Sequence, residues 1–149
     1  KKRTTLKDIA NVLSISTASF AQEQNMWKTL SNVTVEKSFD EILSIDIEHY
    51  DFASQVKALN GKKISLEGWI IPLDELRGEN YFVLSSLPFA NCFFCGGAGP
   101  ETVAEVFSKK EVKYTEKKIK VTGVLTLNSD DPLRLMYILN DVEVEEAKD

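Results

Sequence analysis

Cys92 and Cys95, the only two cysteines in the chain, lie C-x-x-C within Cys92-Phe93-Phe94-Cys95-Gly96-Gly97-Ala98-Gly99-Pro100-Glu101. A pair so spaced admits three chemistries. Two thiolates can clip one edge of a tetrahedron around a soft or borderline cation, zinc or copper(I). The same sulfurs can cycle between dithiol and disulfide, because the spacing brings them together and can lower one thiol's pKa. Or both can pack as small apolar groups. A thioredoxin-type site sets its C-x-x-C at the start of a helix. Gly96-Gly97-Ala98-Gly99-Pro100 forbids a helix after Cys95, which sets that fold aside. The glycines allow backbone N–H groups to turn towards sulfur in either of the first two cases.

A closed zinc site wants four protein ligands. One chain offers Cys92 and Cys95, with Glu101 and His49 as auxiliary donors. A homodimer meeting through the Cys92–Cys95 loop would offer four thiolates. His49 is the only histidine, so no site within one chain can use two imidazoles, and no Ser-His-Asp arrangement is discernible. Beside Tyr50 and Asp51, it reads first as a surface or capping residue. Asp130-Asp131 precedes Pro132 and reads as a turn rather than a cation site. Trp69, Tyr81, Phe89, Phe93 and Phe94 could stack on bases or sugars, as some OB barrels do. Without interleaved Arg or Lys, packing is the better reading. The formal charge of -5, from 18 basic and 23 acidic residues, also argues against a nucleic-acid partner. Phosphate-loop and dinucleotide fingerprints are absent.

The elements that must position these residues are mostly strands. At 149 residues and 43% hydrophobic, the chain suits one domain and needs no metal or disulfide merely to fold. Lys62 onward alternates: Ile64, Leu66, Gly68 and Ile70 share one face, and Pro72 ends the strand. Tyr81–Leu84, Val103–Phe107 and Ile119–Leu127 are further strands, and Leu133–Val144 supplies the last. Two of them carry a central glycine, Gly68 and Gly123, as strands coiling round a barrel corner do. Short helical turns are expected near residues 25–35 and over Phe52–Leu59, with extended pieces near 33–39 and 45–47. The expected fold is mainly β: a small five-stranded OB-like barrel with short N-terminal helices, spanning residues 22–149. A β-sandwich wants about seven strands and fits less well.

Residues 1–21 differ from this body. Lys1, Lys2 and Arg3 precede a moderately apolar stretch that ends Ser19-Phe20-Ala21, the order of a secretory signal, although Asp8 and Asn11 interrupt it. The string from Thr5 to Ser19 also resembles the opening of a lac-repressor-type headpiece. That resemblance stops at Phe20, with no base-reading residues and no third helix after it. A signal-like or extended leader is the expectation. No apolar run reaches the roughly 20 residues that span a bilayer.

Over Trp27 to Val144 the chain resembles a family of uncharacterised bacterial exported proteins. The resemblance rests on Gly61-Lys62-Lys63-Ile64-x-Leu66-x-Gly68-Trp69-Ile70-Ile71-Pro72, the Cys-centred loop, and Ile119-x-Val121-x-Gly123-x-Leu125. It implies a periplasmic OB-like domain, often encoded near metal-transport functions, and hence an envelope metal-transport partner. Many members have one Cys before a His-Pro-rich loop. Here Cys95 and glycines stand in its place, so the family's ligand set does not carry over. The leading expectation is an exported, non-enzymatic protein that binds zinc or copper through its C-x-x-C loop. A thiol/disulfide redox protein is the second reading. An interaction module with structural cysteines is the third.

Overall fold

A computed structural model describes residues 26–72, 80–88 and 98–147. The leader over 1–21 lies outside them. In chain order the elements are α1 (Met26–Leu30), β1 (Val33–Asp40), β2 (Ile45–Phe52), α2 (Ser54–Lys57), β3 (Lys63–Ile71) and β4 (Tyr81–Ser85). A 3-10 turn (Pro100–Thr102), β5 (Val103–Ser108), β6 (Ile119–Leu127) and β7 (Tyr137–Glu146) complete them.

Five strands close into a barrel in the order β3-β4-β5-β7-β6, with β6 returning to pair with β3. All neighbours run antiparallel except β5 and β7, which are parallel. This is the expected OB-like barrel, mainly β with two short helices. Its interior is the alternate face of each strand: Ile64, Leu66 and Ile70 from β3, Phe82 and Leu84 from β4, Ala104 and Val106 from β5. Both mid-strand glycines answer to close approach. A β-carbon on Gly68 would lie 2.1 Å from the Ser85 carbonyl oxygen. One on Gly123 would lie 2.5 Å from Val142 Cγ2 and 2.7 Å from the Asn140 carbonyl oxygen. Neither obstacle is a flexible chain end that could swing aside.

The helices close one end of the barrel. α1 buries Met26 and Leu30, and α2 buries Val56. Trp27 Nε1 donates to the Glu67 carbonyl at 2.7 Å, which ties α1 to β3. The buried Tyr137 hydroxyl donates to the Leu30 carbonyl, which ties β7 to the C-terminus of α1.

Two features depart from the sequence expectation. β1 and β2 pair with each other as a separate antiparallel ribbon, in register from Val33↔Phe52 to Asp40↔Ile45. The pairing was not legible because it depends on a turn at 41–44 in which Ser44 takes φ 55 without being a glycine. β7 also begins at Tyr137 rather than Leu133, because residues 128–136 form a built loop. Asn128 Nδ2 donates to the carbonyls of Asp131, Arg134 and Leu135, and its Oδ1 accepts from Asp131 N. At the far end, pairing of Glu145 and Glu146 with Lys120 and Ile119 carries the strand into what reads as a solvated tail.

Candidate functional site

The cysteine segment is an excursion between β4 and β5, and its root is fixed to the barrel. Ser86 N donates to the Thr102 carbonyl at 2.9 Å, and Leu87 N donates to Ser85 Oγ at 3.1 Å. Ser85 is fully buried and packs its carbonyl against Gly68. On the return side, Pro100 starts the 3-10 turn, where its missing N–H costs nothing. Thr102 N and Thr102 Oγ1 both donate to the Gly99 carbonyl, at 3.1 and 2.6 Å. Chain therefore leaves and re-enters the sheet through adjacent, hydrogen-bonded residues.

Glu101 stands in that root. Its carboxylate folds back along the chain, so that a β-carbon on Gly99 would meet Glu101 Oε2 at 2.3 Å. It is half-buried. Among the described residues, no hydrogen bond or ion pair holds it. Its charge is felt by Tyr137. Burial, and then the negative charge of Glu101, push that phenol well above the ordinary tyrosine range.

Four residues on, Glu105 is the opposite case. It is buried in β5, 2% exposed. Arg134 Nε donates to both of its oxygens, at 3.2 and 2.9 Å. Leu135 N donates at 3.0 Å and the Tyr81 hydroxyl at 2.5 Å. The network clamps the 128–136 loop against the outer face of β4 and β5. Leu135 joins Ile71, Val83 and Val103 in a second apolar cluster there. The Arg134 guanidinium lies 5.2 Å over Phe107, and Phe107 packs against Tyr81 with centroids 5.0 Å apart. In OB barrels this face and this loop bind oligonucleotides and oligosaccharides. In this chain its own loop fills the face. Trp69 is likewise engaged, with Lys118 Nζ 5.4 Å above its ring. Phe89, Phe93 and Phe94, the other members of the stacking platform, lie outside the described residues.

Of the four metal-site residues expected from the sequence, Cys92 and Cys95 lie outside the described residues. His49 is on β2, exposed, with Nε2 3.1 Å from Ser38 Oγ across the ribbon. Glu101 is at the loop root. The structure does not join His49 or Glu101 to a cluster: no three His, Cys, Asp or Glu side chains converge among the described residues. Sequence reasoning missed the Glu105–Arg134–Tyr81 network. Its one signal was a glutamate on the same strand face as Val103 and Phe107. Among the described residues no helix is long and apolar enough to cross a membrane. Compared with protein-family models, curated proteins and solved structures, the chain matches none.

Proposed function

We propose that the chain is an exported, non-enzymatic protein that binds a soft or borderline metal ion, zinc or copper(I), through Cys92 and Cys95. Glu101, six residues after Cys95 in the chain, is the auxiliary donor. The observation that carries this reading is the condition of Glu101: a carboxylate in the root of the cysteine loop, with no hydrogen bond or ion pair among the described residues. In the same stretch of chain Glu105 takes four hydrogen bonds. A buried carboxylate that serves structure is engaged in that way, and one left accessible at the loop root is open to a cation. His49, or the thiolates of a second copy, would complete a tetrahedral set.

Elemental analysis of the full chain, purified under reductant and without chelator, tests the reading. The expected result is roughly one bound metal per chain, or half that for a four-thiolate site shared by two chains. Cys92→Ser and Cys95→Ser should abolish it, and Glu101→Gln should weaken it. Absence of metal, or retention unchanged in Cys92→Ser, overturns the proposal. The C-x-x-C spacing itself favours thiol/disulfide cycling as the second reading. Thiol titration separates the two: a metal site yields two free thiols once the metal is chelated, whereas a redox pair yields them only after reduction.

A further inference from the structure

Among the described residues the β1–β2 ribbon packs on the barrel through its root: Phe52 is buried against Tyr137, with centroids 5.8 Å apart, and Val33, Val35 and Tyr50 lie against the same core. The ribbon's far end is apolar and stands in solvent: Ile42 is 93% exposed, Leu43 62%, Phe39 60% and Ile45 45%. That end is a built turn. Asp40 Oδ1 accepts from Ile42 N and Leu43 N, both at 2.9 Å, and Ser44 turns the chain at φ 55. Below the tip, the two strands carry four acidic side chains, Glu36, Asp46, Glu48 and Asp51, against one lysine, Lys37, which Glu48 already engages across the strands at 3.6 Å. Four large apolar groups on an acidic stem call for an apolar receptor with a basic rim.

The same chain carries such a receptor near the opposite end of β7. A groove of about 510 Å³ lies between residues 108–113 and Val142–Val144. Its volume falls in the ~300–1,000 Å³ range of ligand pockets. Val112, Val142 and Val144 give it apolar lining, and Lys109, Lys110 and Lys113 surround them. The wall is fixed by Lys109 N donating to the Val142 carbonyl at 2.9 Å and by Ser108 Oγ donating to the Lys110 carbonyl at 2.5 Å. Asp141, at φ 52, marks the β7 irregularity beside it. Glu143 faces the groove too, 3.5 Å from Lys109 Nζ. Glu111 lines it as well, so that three lysines stand to two glutamates and the rim keeps a net positive charge. Two ribbons side by side would set acid against acid, and an anionic bilayer would repel the stem.

We propose that the protein associates head to tail with a second copy of itself, the ribbon tip of one copy seated in the lysine-rimmed groove of the next. The contact is heterologous, so every copy has one tip and one groove to offer, and assembly continues unless it closes into a ring. Tip and groove together make a small interface, and the association is accordingly weak and reversible.

The test uses the full chain under reductant and chelator, so that neither a disulfide nor a shared metal contributes. Light scattering should show mass rising with protein concentration in low salt. The rise should shrink in 1 M salt, where the screening length falls from about 10 Å to about 3 Å. Ile42→Asp removes the tip and keeps the groove. Lys109→Glu with Lys113→Glu removes the groove and keeps the tip. Each variant alone should be monomeric. Their equimolar mixture retains one productive contact and should give a species of twice the monomer mass and nothing larger. A wild-type chain that stays monomeric at all concentrations overturns the proposal. So does Ile42→Asp with wild-type assembly, or a mixture that stays monomeric beside a wild type that assembles. Circular dichroism of the variants checks that each keeps the barrel.

Discussion

Glu101 and Glu105 belong to the same short stretch of chain and have opposite fates. Glu105 is enclosed, and each of its oxygens is met by donors from Arg134, Leu135 or Tyr81. Glu101 sits at the mouth of the cysteine loop with its carboxylate uncommitted among the described residues. An unpaired carboxylate in the place of Glu105 would carry a desolvation cost of several kcal/mol. Glu101 keeps water and needs no partner to be tolerated. One acid is therefore part of what holds the loop 128–136 to the sheet, and the other, among the described residues, holds nothing.

Removing each acid should separate these roles. Glu105→Gln leaves Arg134 without its counter-charge and should cost about 3 kcal/mol, the low end for breaking a buried pair because Arg134 keeps some solvent. Urea denaturation measures it, and a loss under 1 kcal/mol would erase the contrast. Gly68→Ala comes next, at about 1–3 kcal/mol, because its β-carbon would press on the Ser85 carbonyl. As Ser85 anchors the loop root, this variant should also weaken any metal retained by the loop, which a remote core substitution of equal cost should not do. Glu101→Gln should change stability by no more than about 0.5 kcal/mol. It should lower the Tyr137 phenol towards its ordinary range, read as phenolate absorbance in an alkaline titration, since the Glu101 charge helps hold that phenol up. The smallest effect is expected away from the site. Burial, followed by the hydrogen bond and charge of Glu48, pushes Tyr50 up to about 12. The folded state favours the neutral phenol, so this contribution is complete below about pH 10 and fades as pH rises from there to about 12. Tyr50→Phe should remove that part of the alkaline loss and leave the Glu101 and Glu105 results untouched.

Barrel strands were legible where one face is buried and the other is wet. Ile64, Leu66, Gly68 and Ile70 in β3 all point inward as their period-two spacing requires. Gly68 and Gly123 announced crowding that the structure locates at Ser85 and Val142. Pairing was less legible. Val33–Asp40 and Ile45–Phe52 read as extended pieces, but their partnership rests on cross-strand register and on an Asp40 side chain bonding to backbone two and three residues on. Glu105 alternates onto one strand face with Val103 and Phe107, and nothing local shows that Arg134, 29 residues later, comes to cover it. At the candidate site, the sequence named Glu101 by its position after the cysteines. That no described residue bonds it could be read only once its neighbours' partners were known.

The hydrogen-bonded junction of Ser86 with Thr102 has a consequence for how this chain can vary. That bond joins the two ends of the β4–β5 connection at the sheet, whatever its length. Each doubling of such a connection's length costs only about 0.6 kcal/mol in closure entropy. Insertions, deletions or wholesale exchange of residues 88–98 should thus leave the β4–β5 register intact. The barrel serves as a chassis on which the segment bearing the two thiols is free to diverge at its own pace.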